Sequence, residues 1–322
     1  MPERSRPSKH GNRDDGFALI VVIWVTVLLS IMAAAFTASV KGRIRTTSAK
    51  VQAAKVEAAA DAGIQIAMLE LLARTRDPAV APRFTQTGTA AACAANDETI
   101  VVIEVEDEEG KVNLNTPNEA LLLALLSGLG AAPLEARTYA DRILDYRDFD
   151  HDKRADGAES EDYSKAGRAV GPKDSDFVSV DELDQVLGLP RALVERMKPF
   201  VTTLSSQAGV DAEEASKALK AILQKGAAGG FQDDIAFEDP VFGGETLAPQ
   251  FSAISSRRNY LIRAVARSSS GTNWGATWIG EALVALPLGA NGVPAMRQWR
   301  RGQGTPGAAG KTYAFPATAP PC

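Results

Sequence analysis

Between Phe17 and Val40 the chain runs FALIVVIWVTVLLSIMAAAFTASV, 24 residues without a charge, and no other segment limits its folding so strongly. About 20 apolar residues suffice to cross the ~30 Å hydrocarbon layer as a helix. Arg4, Arg6, Lys9 and Arg13 precede the run, diluted by Glu3, Asp14 and Asp15, and Lys41, Arg43 and Arg45 follow it. Charge bias alone therefore does not fix an orientation. Three kinds of targeting fit so far. Ala33, Ala34 and Ala35 offer a small-residue cleavage site that would release a soluble protein. An uncleaved signal anchor is the second reading, and the third depends on what stands before Phe17.

There a short, charged, hydrophilic leader ends in Gly16, and the aromatic Phe17 opens the apolar helix at once. This arrangement resembles the signal of type IV pilins and type II secretion pseudopilins. The resemblance implies that prepilin peptidase removes residues 1–16 by cutting Gly16–Phe17 on the cytoplasmic side. Residues 17–40 then remain as a single span of the inner membrane, the N-terminus cytoplasmic and the C-terminal domain periplasmic. The fifth residue after the cut is Val21, where most filament-building pilins carry glutamate. That acid neutralises the terminal ammonium of a neighbouring subunit, a charge costly to leave unpaired in a bilayer. A subunit with Val21 suits a place where no such pairing is required, such as the first position of a filament.

Beyond the span, Lys41 to Arg76 is rich in Ala, Lys, Gln, Glu and Leu and lacks proline. Strong helix formers dominate it. Ile44, Val51, Val56, Ile64, Ala67 and Leu71 recur at helical spacing, so one helix is expected from Phe17 to Thr75, half in lipid and half amphipathic, stopped by Asp77-Pro78. A loop is expected from Asp77 to Asn96. Glu98 to Glu106 alternates apolar and acidic residues as a half-buried strand does. Helical signals fill Glu119–Leu126, Leu134–Tyr146, Val180–Leu187, Arg191–Phe200 and Asp211–Lys225, and strand character returns at Asn259–Arg267, Trp274–Ala285 and Met296–Arg300.

The expected fold class is therefore α+β. A type IV pilin-like N-terminal helix packs on an antiparallel sheet, in an α/β domain formed by 41–116 and 205–288. An all-α insertion resembling SAM or helix-hairpin-helix domains occupies 117–204, and a tail rich in Gly, Pro and Ala fills 289–322 with room for a last strand.

Composition excludes several functions. A formal charge of -5 and a pI near 5.3 give no general attraction for nucleic acid. The helical pairs resemble some DNA-binding modules, but Asp141 to Asp184 holds 14 acidic residues against 7 basic ones. A protein-contact module fits better. The two cysteines, Cys93 and Cys322, rule out a Cys-rich metal cluster and are compatible with one disulfide or two free thiols. His10 and His151 lie on opposite sides of the apolar run, and no G-x-S-x-G nucleophile signature occurs. Neither an enzyme nor a small-molecule substrate is expected.

The turn Gly110-Lys111-Val112-Asn113-Leu114-Asn115, the acidic stretch ending Gly157-Ala158-Glu159, the segment Phe177-x-Ser179-Val180-Asp181-Glu182-Leu183 and Pro199-Phe200-Val201-Thr202 follow the Gly16–Phe17 signal in order. Together they resemble the minor pseudopilin K of type II secretion systems, the GspK family, over nearly the whole chain. The resemblance implies a non-enzymatic subunit at the tip of a periplasmic pseudopilus. Its implied partners are the I and J minor pseudopilins beneath it, prepilin peptidase and the inner-membrane assembly platform. Gly209-Val210-Asp211-Ala212 departs from the family, where a second Asn-Thr-Ala-like turn is common. A membrane-anchored periplasmic calcium-dependent binding protein unconnected with secretion is the alternative.

Asp148, Asp150, Asp152, Asp156 and Glu159 fall at positions 1, 3, 5, 9 and 12 of a twelve-residue calcium loop. Alternating aspartates can wrap oxygens around one hard cation, and a closing glutamate can bind through both oxygens. Lys153 stands where an EF-hand turn requires glycine, so either calcium or a plain solvated acidic loop fits. The family resemblance also implies calcium in the insert. Ligation outside EF-hand order would bring in Asp162 or Asp174.

Overall fold

The proline-free stretch continues the apolar run as helix, and α1 spans Asp15–Arg76. Arg74 and Arg76 lie in its last turn, where cations complement the helix dipole. The computed structural model describes residues 15–77, 79–116, 118–228, 247–268, 276–287, 292–303 and 313–322. The expected leader therefore lies outside the described residues up to position 14, as do 289–291 and 304–312 of the tail.

Residues up to Lys55 and Val56–Cys322 form two separate units. In the first, α1 is long and apolar enough to cross a membrane, and Leu19 through Phe36 expose their apolar side chains.

In the second unit the chain continues with β1 (Ala91–Asn96), β2 (Thr99–Asp107), the short β3 (Val112–Asn113), α2 (Glu119–Gly128), α3 (Pro133–Arg147), α4 (Ser160–Lys165) and α5 (Arg191–Met197). There follow β4 (Val201–Thr202), β5 (Val210–Asp211), α6 (Lys217–Ala228), β6 (Ser252–Ala253), β7 (Asn259–Ser268), β8 (Thr277–Ala285) and β9 (Ala295–Gln303). The main sheet has the order β1-β2-β7-β8-β9, every neighbour antiparallel.

Val56, Ala60, Ile64, Ala67 and Leu71 of α1 pack against Val101, Ile103, Val105, Ile262, Ala264 and Val284 of the sheet. Each fully buried Val, Ile or Leu there stabilises the fold by about 1.5–3 kcal/mol. The other face is covered too. Val102 and Val265 pack on Tyr313, with Phe315 beside them. That cover explains why β2, whose alternation predicts one wet face, is buried at nearly every position.

β2 and β7 are neighbours in the sheet, and described residues between them in sequence form a second core. Leu121 to Leu126 are all buried, joined by Ala140, Ile143, Leu183, Val194 and Met197. This core does not end at 204. Ala215, Leu219, Leu223, Leu247 and Phe251 belong to it, because α6 lies along α2, so these residues pack with the helices rather than with the sheet. Two short parallel pairs, β3 with β4 and β5 with β6, stand at its ends.

Local departures from the sequence reading have local causes. α6 begins at Lys217, not Asp211, because Asp211 is held in β5: its carboxylate accepts the N–H groups of Glu213, Glu214 and Ser255. Val180–Gln185 is a 3-10 helix, and α5 tightens into another at Lys198–Phe200. The expected loop before Asn96 contains β1, with Cys93 bonded to Cys322.

Candidate functional site

Asp145, fully buried near the end of α3, organises the acidic loop that follows. Its Oδ2 accepts the backbone N–H of Ala158 at 2.9 Å and of Arg154 at 3.3 Å. The Arg154 guanidinium returns to Asp145 Oδ1 at 3.3 Å and to Asp148 Oδ2 at 3.5 Å. The loop folds so tightly onto this carboxylate that a Cβ at Gly157 would lie 1.8 Å from Oδ2.

The five spaced carboxylates then separate into two groups. Asp150 accepts the N–H of Asp152, a local turn, while Asp152 and Asp156 are exposed and Asp156 donates its own N–H to Asp141. Asp148 and Glu159 turn inward. Asp148 Oδ1 and both Glu159 carboxylate oxygens are enclosed and accept no hydrogen bond. Asp174 joins them across the sequence, with Oδ1 likewise enclosed and unpartnered. Its backbone adopts φ +53°, and its N–H donates to the Tyr146 carbonyl at 3.1 Å. Asp162 is engaged elsewhere, accepting from Glu159 N–H and from Lys153 Nζ, each at 3.0 Å. His151, Glu159 and Asp174 each place one ligand atom within 4.8 Å of the others.

Electrostatics agree with this convergence. Burial pushes the Glu159 carboxyl up, and the charges of Asp145, Asp174 and Asp148 push it further. Asp148 is raised by burial and by Asp150. Enclosed carboxylate oxygens without donors are costly, and a hard divalent cation bound by oxygen is one partner that would offset that cost. Oxygen donors of this kind suit calcium, and Glu159 and Asp174, beside His151, are the ones that lie within 4.8 Å of one another. Regular spacing pointed to Asp150, Asp152 and Asp156, whereas Asp174 comes from a separate loop. Asp145, the scaffold, carries no spacing signal of its own.

Gly16, Phe17 and Val21 lie in the first turns of α1, and Val21 is exposed.

Residues 101–206 match the family model described as type II secretion system protein K. A protein of Klebsiella pneumoniae called type II secretion system protein K is 26% identical over 216 residues, covering 61% of this chain and 64% of the relative's length. Among solved structures, the GspK-GspI-GspJ complex from the enterotoxigenic Escherichia coli type 2 secretion system contains a chain with the same fold. It aligns with a TM-score of 0.52 at 15% identity and covers 81% of this chain and 100% of its own.

Proposed function

We propose that the chain is a member of the type II secretion system protein K family, which its match over residues 101–206 supports, and that it forms or initiates the tip of a periplasmic pseudopilus with minor pseudopilins of the I and J classes. Val21 carries this reading. It is the fifth residue after Gly16–Phe17, and an apolar side chain there cannot neutralise a neighbour's terminal ammonium. A subunit laid down first has no such duty. The helical core inserted between β2 and β7 supports the same placement, because bulk of that kind is tolerated where no further subunit must stack.

In this reading prepilin peptidase cleaves Gly16–Phe17, the uncharged part of α1 stays in the inner membrane, and the assembly platform receives it there. The role is structural, not enzymatic. The Cys93–Cys322 disulfide supports a periplasmic location for the folded domain, since such bonds persist in oxidising compartments. Asp148, Glu159 and Asp174 would hold a calcium ion, which would neutralise the enclosed carboxylates and order the loop against α3.

The test is co-expression of the full chain with its I and J counterparts and prepilin peptidase, followed by intact mass and co-purification. The expected product starts at Phe17 and is recovered with both partners, and a Val21→Glu variant is expected to initiate fewer pseudopili. A chain starting after Ala35, or one that copurifies with neither partner, would overturn the proposal.

A further inference from the structure

The cation site contains a donor that calcium does not call for. His151 is one of two histidines in the chain, and its Nδ1 lies 3.6 Å from Asp174 Oδ2. Together with Glu159 and Asp174 it offers three ligand atoms within 4.8 Å of one another. Glu159 is only 8% exposed, and neither of its carboxylate oxygens has a hydrogen-bond partner, so this group of donors encloses a carboxylate that a cation would satisfy. Calcium takes oxygen ligands almost exclusively, whereas an imidazole beside carboxylates suits zinc and its first-row neighbours. The His151 side chain is 74% exposed and that of Asp174 28%, so the donors are open to an ion arriving from solvent.

We propose that His151, Glu159 and Asp174 bind a first-row transition ion of the zinc class, with His151 Nδ1 as the ligand that distinguishes this ion from calcium. The proposal rests on the reading of this loop as a cation site. On that reading calcium would be held by the carboxylates, with Asp148 contributing and His151 standing aside. Zinc takes the imidazole, with water completing its coordination. Loss of one partner around a metal commonly weakens binding about 10–100-fold, and a direct ligand should cost at least as much.

The experiment uses the full chain in detergent, carrying His10→Ala so that His151 is the sole imidazole, and stripped with EDTA. Zinc and calcium are titrated separately by calorimetry, and cobalt(II) is added as a spectroscopic probe. One equivalent of zinc should bind. His151→Ala should weaken zinc by about tenfold or more while leaving calcium within about twofold, and it should change the cobalt ligand-field spectrum. Glu159→Gln should abolish both ions, with circular dichroism confirming that the variant is folded. Zinc affinity unchanged by His151→Ala, or no saturable zinc binding, overturns the proposal. Calcium binding without zinc defeats it and leaves the calcium reading intact. Zinc binding through His151 without calcium upholds it and defeats the calcium reading.

Discussion

Cys93 in β1 is bonded to Cys322, 229 positions away, with their Cα atoms 4.9 Å apart. The bond fastens a strap whose other attachments are non-covalent. Arg83 donates to the carbonyls of Cys322 at 2.7 Å and Pro321 at 3.2 Å, Ala94 bridges Pro321, and Tyr313 donates to Glu104 at 2.8 Å.

Because the bond closes most of the domain into a loop, it restricts the unfolded chain more than the folded one. Cys322→Ser should therefore lower stability by about 2–5 kcal/mol. Urea unfolding with and without dithiothreitol would measure this. The wild type should lose stability on reduction and the variant should not, and equal curves for oxidised and reduced wild type would refute the strap's role.

A second relationship crosses four strands. Register places Glu104 opposite Arg263, Arg263 opposite Glu281, and Glu281 opposite Arg300. Arg263 lies 3.0 Å from both Glu104 and Glu281, while the Arg300 contact is 4.0 Å and exposed. Glu104→Ala leaves a buried guanidinium and the Tyr313 hydroxyl short of an acceptor, and should cost about 3 kcal/mol. Arg300→Ala should cost about 0–1 kcal/mol. Chemical denaturation of the two variants should rank them in that order.

Asp107 and Glu214 make stability depend on pH. Burial pushes Asp107 up to about 6 despite hydrogen bonds from Ser255 and the Glu109 N–H, and burial followed by the Asp107 charge pushes Glu214 up to about 7. Both values exceed those of the unfolded chain, so the folded state favours protonation. Their contribution is complete below the ordinary carboxylate range and is lost as pH rises through 6 and 7. In chelator, the melting temperature should be higher at about pH 5.5 than at about pH 8. Asp107→Asn should flatten that slope, and an unchanged slope in the variant would exclude Asp107 as its source.

Elements with strong periodic signals were legible in the sequence, and those made by distant partners were not. α1 follows from a charge-free run joined to a proline-free stretch of helix formers. β1, Ala91–Asn96, has almost no strand propensity, and it exists because β2 and Cys322 hold it. The alternation of β2 predicts one face in water, but the covering residues Tyr313 and Phe315 lie more than two hundred positions on. At the acidic loop, spacing located the segment, and the folded chain adds a carboxylate from outside it. Asp150 spends its oxygen on a local turn, and Asp174 enters through a backbone bend that no spacing announces.

The contact between α2 and α6 depends on close backbone approach at Gly226. A Cβ there would lie 1.8 Å from the Ala124 carbonyl oxygen and 2.9 Å from the Gly128 nitrogen. Backbone atoms on a packed helix cannot withdraw cheaply, so Gly226→Ala should destabilise by about 1–3 kcal/mol or more. Limited proteolysis should then cut the helical region before the sheet. Gly302→Ala, with open space around it, is the matched control and should be near neutral.

The enclosed carboxylates give opposite expectations with and without calcium. Without it, Glu159 carries a buried charge that Asp145, Asp174 and Asp148 all oppose. Glu159→Gln removes that repulsion at little change in shape, so in EGTA the variant should be as stable as the wild type or more stable, by up to about 1–3 kcal/mol. With calcium the order reverses. Binding to the folded state alone adds about 2.7 kcal/mol at a concentration one hundred times the dissociation constant, and only the wild type should gain it. Thermal melts of both proteins in EGTA and in calcium settle the matter by the crossing of the two pairs. If neither protein responds to calcium, the loop is a solvated turn. If both respond equally, the ion sits elsewhere.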